Sequence, residues 1–481
     1  MNITEPGPFK GLNEHPLYKQ FRDMSYVELF FFWRTQLDHY SNYRILVEYN
    51  EELTTEKVYH ALTRMMYKYS ALTMDLMPSS TSKFGHQFVV VDEVRLSDVV
   101  EFIQDDKLAN VEGILEKYHK ESLRYGKNKP LWRLKVINGK YALFFCNHIL
   151  YDGTSGKNFH IELSKEIANG IPKIISGSFT GLDSIVFEKS MVEFDQYQLP
   201  PSPVDIIDYN KPYSGLLYIV LAALLPTKLS NLIKRWFSGN PYTSILAFDE
   251  VEYKSFRSNP KNTSSSRVIN LDSFQLNSLI KTARLHNVKL TSLITVLAHI
   301  SMGKFIASSG KDTVTSIPIN IRGSIKMEKA NKLCNNFSPL FGLYMGAIRL
   351  QLPSINKLCP DGQINWSLAT FVNKYIHENI STSRLLLGVL KFINIKRFIV
   401  KEHEEEKKAT FELSNLGQIG AEHKNIIGAW FDQPGCLFSA NMISCGSGGT
   451  IVLRCCNEEW VDEFRNRLEK NILSLLPDEE L

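Results

Sequence analysis

Apolar and polar positions along this chain repeat with two different periods, and together they predict a mixture of strands and helices. Short apolar runs bounded by glycine or polar residues are typical of buried strands, whereas apolar positions three and four residues apart are typical of helices. In the first part of the chain the pattern predicts strands at 44–49, 87–91, 131–137 and 141–146, and helices at 54–69, 111–123 and 159–170.

A second set of elements follows after an irregular stretch. The pattern predicts strands at 268–271 and 313–319, helices at 273–286 and 291–306, a strand-rich region and a closing helix at 460–476. Two such sets indicate an α/β fold of mixed sheets in two layers. Prolines and a Ser/Thr run separate the sets, which is typical of a connection. We therefore expect an N-terminal half at 1–175, a connection at 176–266 and a C-terminal half at 267–481.

A hairpin carries the most distinctive polar residues of the first half. The dipeptide Asn138-Gly139 stands between two apolar runs, which is the strongest short-range signal for a β-hairpin. The second strand of this hairpin would deliver His148 to its C-terminal end, and Asp152 and Gly153 follow four and five residues later.

These three residues predict an acid–base site. An imidazole with an ordinary pKa of about 6.5 takes up and returns a proton near neutral pH, so His148 is the candidate general base. Asp152 has two alternative roles: it orients the imidazole, as in a triad, or it holds the turn after the strand by pairing with a cation. Gly153 would let the backbone leave the strand sharply. The competing interpretation is a histidine satisfied by backbone groups, and the neighbouring Asp-Gly weighs against it.

The segment HILYDG at 148–153, preceded by Leu-Trp-Arg-Leu at 131–134, resembles the HxxxDG active site of the chloramphenicol-acetyltransferase-like acyltransferases. This superfamily includes plant BAHD enzymes, peptide-synthetase condensation domains and fungal alcohol acetyltransferases. The fungal group is the most similar, through the chain length and the segments SIPINIRG (316–323), NNFSPLFG (335–342) and FELSNLG (411–417). The resemblance spans residues 26–460, and within it only HxxxDG is specific on its own.

The resemblance implies two similarly folded halves with an active-site tunnel between them and His148 at its middle. It implies that acetyl-CoA is the acyl donor, as a co-substrate, and that no cofactor is bound. It also implies an ion pair between Arg322 and Asp152. Where the plant enzymes carry Asp-Phe-Gly-Trp-Gly, residues 414–417 read Ser-Asn-Leu-Gly. This departure argues against a plant-type enzyme, and the segment is expected to support the fold rather than the chemistry.

Polar residues in the segments 316–323 and 335–342 are candidate donors to a reacting oxyanion. In the families that this chain resembles, the region of Asn336 and Ser338 lines the tunnel, and Asn320 stands two residues before Arg322. A side-chain donor to such an oxyanion is typically worth about 10²–10³-fold in rate. The sequence leaves open which of the three donates.

Several other chemistries are disfavoured by what the sequence lacks. The net charge of +4 is spread over 481 residues without a basic stripe, so nucleic acid is not an expected partner. No metal-ligand cluster or phosphate loop occurs, and residues 446–449 predict a hairpin turn. Without a G-x-S-x-G nucleophile, direct transfer in one ternary complex is expected rather than a covalent acyl-enzyme.

Cysteine usage and two apolar segments bear on location. The seven cysteines lie mostly in apolar runs without a C-x-x-C pair, and residues 1–16 contain no apolar signal core, which favours a cytosol-facing protein. Residues 25–43 are rich in aromatic side chains, which either pack in the core or form an interfacial membrane helix. Residues 213–225 carry no charge but are too few to span a bilayer, which takes about 20 residues. They lie on a membrane, shape a substrate entrance or form a buried helix.

The sequence therefore predicts an acetyl-CoA-dependent acetyltransferase that acts on an alcohol hydroxyl, with His148 as the base. We expect a cytoplasmic monomer, with peripheral contact to the endoplasmic reticulum membrane or lipid droplets left open. One alternative is N-acetylation of a long-chain amino alcohol or another lipid-like amine. Another is a non-catalytic lipid-binding module of the same fold, which the intact motif weighs against. A condensation-type domain would need a neighbouring carrier domain, for which the chain has no room.

Overall fold

Most of the chain is described by the structure, a computed structural model of the protein. It describes residues 21–39, 42–108, 110–171, 179–193, 196–209, 264–306, 313–353, 355–381, 383–404, 410–433, 437–455 and 457–477. The predicted boundary at 175 and the apolar run 213–225 lie outside these residues.

The strands of the described residues form two large sheets and two small ones. They are β1 (Phe21–Asp23), β2 (Asn42–Tyr49), β3 (Met74–Pro78), β4 (His86–Val90), β5 (Glu93–Arg95), β6 (Val100–Ile103), β7 (Trp132–Ile137), β8 (Tyr141–Asn147), β9 (Ile185–Glu188), β10 (Ser265–Asp272), β11 (Thr313–Asn320), β12 (Met345–Leu352), β13 (Phe411–Gln418), β14 (Ile426–Asp432), β15 (Phe438–Cys445) and β16 (Gly448–Cys455). One large sheet has the order β14-β2-β8-β7-β6 and the other β10-β16-β15-β13-β11-β12. The predicted α/β fold with mixed sheets is confirmed.

Helices cover both large sheets. They are α1 (Tyr26–Gln36), α2 (Thr55–Lys68), α3 (Leu96–Val99), α4 (Val111–Tyr118), α5 (Gly153–Ala168), α6 (Pro203–Ile206), α7 (Ser273–Leu285), α8 (Leu290–Ile306), α9 (Met327–Leu333), α10 (Ile355–Leu358), α11 (Trp366–Asn379), α12 (Leu385–Gly388), α13 (Ile395–Glu404) and α14 (Glu458–Leu473). Helix α5 packs on α2 and on the five-stranded sheet, and α14 packs on α8 and on the six-stranded sheet.

The hairpin β7–β8 forms as its turn residues predict. Asn138 and Gly139 have φ values of 53° and 64°, and the Lys140 N–H donates to the Ile137 carbonyl at 3.1 Å. Positive φ at both central residues is the requirement of a type I′ turn. The antiparallel register that follows pairs Trp132 with Cys146, so the turn fixes where β8 ends.

Strand β14 crosses from the second half of the chain into the sheet of the first half. It pairs antiparallel with β2, with Trp430 opposite Leu46, and forms the edge of the five-stranded sheet. The hydrophobic core around β8 accordingly takes in Phe431, Ile443 and Cys445 from the second half. A separate core lies between the six-stranded sheet and helices α7, α8, α11 and α14.

The aromatic segment that forms α1 packs inside the protein. Ser25 caps α1, and Phe31 and Phe32 are buried. Other aromatic residues of the helix pack against α13 in a small apolar cluster that contains Ile395 and Ile399. Of the two alternatives for residues 25–43, core packing describes this helix.

One predicted helix ends early. The pattern predicts helix to residue 123, but α4 ends at Tyr118. The Arg44 guanidinium accounts for the stop, because its Nε donates to the Tyr118 carbonyl at 2.9 Å and its Nη2 donates to the carbonyl of Glu121 at 2.8 Å. These donors are buried and compete with a further helical turn for the same carbonyls.

Candidate active site

His148 lies at the end of the central strand of the five-stranded sheet. β8 runs between β2 and β7 and is almost entirely buried, so a residue that follows it enters the interior of the protein. Asn147 shapes this exit: its side-chain oxygen accepts from the Ile149 N–H at 2.9 Å, and its Nδ2 donates to the Leu123 carbonyl at 2.9 Å. The histidine itself is 3% exposed.

Burial among aromatic rings keeps the His148 imidazole neutral. The Phe31 ring stacks on it with centroids 4.4 Å apart, and the Tyr43 ring meets it edge-on at 5.3 Å. Burial lowers the pKa of His148 to about 4; the Asp152 charge opposes this shift and the Arg34 charge adds to it. At neutral pH the ring therefore has an unprotonated nitrogen that can accept a proton.

Asp152 is committed to groups other than the imidazole. Its carboxylate accepts from both terminal nitrogens of Arg322, at 2.8 and 2.9 Å, and from the N–H groups of Ser155 and Tyr344, each at 2.9 Å. Burial alone would raise the pKa of Asp152, but the Arg322 charge and these hydrogen bonds lower it below its ordinary value. Of the two sequence-derived roles, this geometry favours holding the turn by pairing with a cation.

Arg322 ties the end of β11 to the start of α5. Besides Asp152, its guanidinium donates to the Ser155 hydroxyl at 3.0 Å and to the Pro339 carbonyl at 2.7 Å. The side-chain oxygen of Asn320 accepts from the Arg322 N–H at 3.0 Å. Asn320 thus lies beside the ion pair, and the resemblance-based pairing of Arg322 with Asp152 matches the geometry.

Gly153 provides space rather than a special turn. It is the first residue of α5, with Asp152 as the N-cap, and it is not among the glycines with positive φ. A β-carbon at this position would lie 2.7 Å from Cδ2 of Leu416 on β13. The expectation that Gly153 lets the backbone turn sharply is therefore replaced by another reason: a side chain at this position would require Leu416 on β13 to shift.

Asn336 and Ser338 lie further toward the surface. Asn336 is exposed, and its Nδ2 donates to the Gln196 carbonyl at 3.0 Å. The Ser338 hydroxyl accepts from the Leu340 N–H at 3.4 Å. An oxyanion donor is most effective in a site from which water is excluded, so these contacts favour neither residue for that role.

Strand β13 presents a polar face that the sequence interpretation did not assign to the site. Successive side chains of a strand point to opposite sides. Phe411 and Leu413 belong to the core under the six-stranded sheet, so Glu412, Ser414 and Leu416 face the other way, and Leu416 packs against the core around β8. The alternation of apolar and polar residues in FELSNLG is the sequence signal that could have indicated this polar face.

The Arg34 charge, which acts on His148, also acts on this polar face of β13. Burial raises the pKa of Glu412, and the Arg34 charge and a hydrogen bond from Gln433 partly offset the rise. Gln433 Nε2 donates to Glu412 Oε1 at 2.9 Å. On the neighbouring strand β15, Ser439 Oγ and Asn441 Nδ2 donate to the Gln433 carbonyl, at 3.2 and 2.8 Å.

Two further observations concern cofactors and membranes. Within the described ranges, no group of three or more His, Cys, Asp or Glu side chains is arranged to hold a metal ion. Over the same part of the chain, no helix has both the length and the apolar content for a membrane crossing.

Comparison with known proteins gives a family. A model of the alcohol acetyltransferase family matches residues 23–477. The N-acetyltransferase SLI1 of Saccharomyces cerevisiae is 23% identical over 454 residues, which cover 90% of this chain and 94% of the relative.

Solved structures share the fold at low identity. The trichothecene 15-O-acetyltransferase TRI3 of Fusarium sporotrichioides superposes with a TM-score of 0.60 at 11% identity, covering 96% of this chain and 99% of that one. A starter condensation domain of rhizomide synthetase, solved with C8-CoA and Leu-SNAC, superposes with a TM-score of 0.55 at 10% identity, covering 97% and 98%. At these identities the likeness shows a common fold.

Proposed function

The chain belongs to the alcohol acetyltransferase family, and from this membership we propose that it transfers the acetyl group of acetyl-CoA to the hydroxyl of an alcohol, with His148 as the general base. The observation that carries the proposal is the environment of His148: a neutral, desolvated imidazole at the end of β8. A base of this kind is unprotonated at neutral pH and ready to take the proton of an attacking hydroxyl.

The proposed reaction is a direct transfer. The acceptor oxygen attacks the thioester carbon while His148 takes its proton. The tetrahedral oxyanion then collapses, the carbon–sulfur bond breaks, and the CoA thiolate leaves with the proton returned through the imidazole. Asp152 and Arg322 hold the turn that carries the base, and they take no proton themselves.

A covalent acyl-enzyme is disfavoured by the neighbouring thiol. Cys146 is the penultimate residue of β8 and stands two residues before His148, which follows the strand in a turn. Burial raises the pKa of Cys146 well above its ordinary value, which keeps the thiol protonated. A protonated thiol is a poor nucleophile, and this supports transfer within one ternary complex.

N-acetylation is the second candidate function. The relative SLI1, which aligns with 90% of this chain, is an N-acetyltransferase, whereas TRI3 is an O-acetyltransferase. A long-chain amino alcohol or another lipid-like amine is therefore the alternative acceptor. The same base could deprotonate either nucleophile, so the choice depends on the acceptor pocket.

Acetyl-CoA is proposed as the co-substrate, and we propose that the protein is a cytoplasmic monomer with peripheral contact to the endoplasmic reticulum membrane or lipid droplets. Membership of an acetyltransferase family supports the donor. The apolar composition of residues 213–225 supports the membrane contact.

The proposal is tested by CoA release from acetyl-CoA. Purified wild type is offered isoamyl alcohol, a sterol and a sphingoid-type amine in parallel, and the preferred acceptor distinguishes O- from N-acetylation. We expect His148→Ala to lower kcat by about 10²-fold or more, as loss of a general base does. His286→Ala is the control, because His286 is exposed and stacks on Trp366. Equal rates for wild type and His148→Ala would refute the base assignment.

A further inference from the structure

Three large apolar side chains are exposed together around the start of α13. Phe392, Ile393 and Phe398 are 61%, 36% and 40% exposed. The Phe398 N–H donates to the Asn394 carbonyl at 2.9 Å, so Phe398 stands one helical turn above the residue that follows Ile393. These three residues form the α13 surface. Clustered apolar side chains that face outward are typical of a site for a partner or a membrane.

Basic residues accompany the α13 surface. Three exposed cations belong to the same segment: Lys391, Lys396 and Arg397. Residues 381–400 contain no Asp or Glu, and Lys396 Nζ lies over the Trp33 ring, 4.7 Å from its centroid. Cations placed beside exposed aromatic rings are typical of protein surfaces that lie in the interface of an anionic bilayer.

The described chain reaches the α13 surface again at Tyr209. A β-carbon at Gly388, four residues before Phe392, would clash with the Tyr209 carbonyl. The uncharged run 213–225 follows Tyr209 after three residues, so this run joins the described chain close to the α13 surface. Stable attachment to a membrane generally takes two weak contacts, and the chain brings two candidates close to each other.

Charge selects between two occupants of the α13 surface, the run 213–225 and a membrane. The run carries no charge, and the next charged residue along the chain is Lys228, so the run offers nothing negative to Lys396 and Arg397. Anionic lipid headgroups complement these cations. Each basic residue near such a membrane strengthens binding by about fivefold.

We propose that the α13 surface, with Lys396 and Arg397, binds an anionic lipid membrane by placing its aromatic rings in the bilayer interface. This inference rests on the peripheral membrane contact proposed above and assigns that contact to described residues. The rings supply apolar area to the interface, and the cations supply attraction to the headgroups.

A single helix separates this surface from the base. Ile395 and Ile399 are buried in a cluster with residues of α1, and Phe31 of α1 stacks on His148. A protein bound through the α13 surface therefore holds His148 one helix away from the bilayer. This arrangement supports a lipid-like acceptor.

The test is sedimentation of the purified full chain with vesicles of phosphatidylcholine, alone or with about one third phosphatidylserine. Wild type should bind the anionic vesicles more tightly. Phe392→Gln with Phe398→Gln should weaken that binding by about tenfold or more, because two apolar rings are lost. Lys396→Gln with Arg397→Gln should weaken it by about 25-fold and reduce the preference for phosphatidylserine.

Helix α7 supplies matched controls with exposed residues of the same kinds. Phe274→Gln with Leu285→Gln is the apolar control, and Lys281→Gln with Arg284→Gln is the charge control. Both should bind the vesicles like wild type. All four double variants should keep a Tm close to that of wild type, because exposed substitutions seldom change stability.

The outcomes separate this inference from the proposed function. If wild type binds and both variants of the α13 region bind equally well, the inference alone is overturned. If wild type binds neither kind of vesicle, the inference and the membrane contact both fail, and binding gained on deletion of residues 213–225 would identify that run as the occupant. A wild type that releases no CoA but binds through the α13 surface would refute the acetyl transfer alone.

Discussion

At the scale of single residues, the loss of the Arg322–Asp152 pair should lower stability substantially. Arg322→Ala would leave the Asp152 carboxylate buried with two of its five hydrogen bonds removed. Stranding a buried charge in this way costs about 3–5 kcal/mol. We expect the urea midpoint of unfolding to drop accordingly, and CoA release to fall with it because the turn after His148 loosens.

The guanidinium geometry supplies the controls. Arg322→Lys keeps the charge but cannot donate in the same two-pronged way, so it should fall between wild type and Arg322→Ala. Arg397→Ala removes an exposed guanidinium on α13 and should leave the midpoint unchanged. An unchanged midpoint in Arg322→Ala would mean that the pair contributes nothing to folding.

Buried neutral histidines make a second prediction, which concerns pH. Burial lowers the pKa of His148, His160 and His299 to about 4 each. In the unfolded chain a histidine has a pKa of about 6.5. Between pH 6.5 and 4 the unfolded state therefore binds more protons, so the free energy of unfolding is highest above pH 6.5 and falls as the pH drops through this window.

His299 allows this to be measured away from the base, because its ring bonds the Thr315 hydroxyl at 2.6 Å inside the second core. From pH 7 to pH 5, one such group should cost about 2 kcal/mol of unfolding free energy. His299→Gln should show a drop that is smaller by about this amount in urea unfolding at the two pH values. His286→Gln should keep the wild-type drop. The same drop in His299→Gln would contradict the link to burial.

The sequence predicted part of this residue-level chemistry. His148 could be identified from the strand that ends there and from the Asp-Gly that follows. The pairing of Arg322 with Asp152, 170 positions apart, came only from resemblance, because no local pattern links residues so distant. The Phe31 stack on His148 depends on how helix α1 packs against the five-stranded sheet, and periodicity carries no information about that.

At the scale of elements, the close approach of β13 to α5 leaves no room for a side chain at Gly153 unless Leu416 shifts. Gly153→Ala would bring a methyl group to 2.7 Å from Leu416 Cδ2. Overpacking of this kind costs about 1–3 kcal/mol. We expect a lower Tm and a lower rate of CoA release, since α5 begins next to the base.

A double-mutant cycle isolates this contact. Leu416→Ala removes the clashing atoms, so adding it to Gly153→Ala should recover stability relative to the sum of the single changes. Gly323→Ala is the matched control, because a β-carbon there meets nothing within 4 Å. Simple additivity of the two changes would show that Leu416 is not what restricts Gly153.

Elements with a clear period were predicted well, and their partners were not. The strand predicted at 141–146 is β8 (Tyr141–Asn147), and the helix predicted at 54–69 is α2 (Thr55–Lys68) with Thr54 as its cap. The membership of β14 in the first sheet was not foreseen, because an apolar run indicates a buried strand but not which strand it pairs with.

At the scale of the whole molecule, the proposed membrane contact makes a prediction for cell fractionation. Residues 213–225 lie outside the described residues, so the expectation rests on their composition. Part of the wild-type protein should sediment with membranes, and deletion of residues 213–237 should move it to the soluble fraction. Interfacial binding scales with buried apolar area, so Leu224→Asp with Leu225→Asp should act in the same direction.

Enzyme activity provides the control for folding. The deletion should keep CoA release with isoamyl alcohol, which is soluble in water, while activity with a membrane-dissolved acceptor falls. Recovery of the wild type wholly in the soluble fraction would exclude this membrane contact. The division into halves at 1–175 and 267–481 remains a prediction, because the pattern shows where regularity fades but not where a fold is complete.

The pairing of β14 with β2 in the first sheet has a consequence for how the protein folds during synthesis. Tyr49 on β2 pairs with Ile426 on β14, so the first sheet lacks its edge strand until roughly 380 more residues have left the ribosome. At about 5–20 residues per second, this delay lasts roughly 20–75 s. Throughout it, the nascent chain displays the unpaired edge of β2, which is the kind of surface that chaperones shield from other strands.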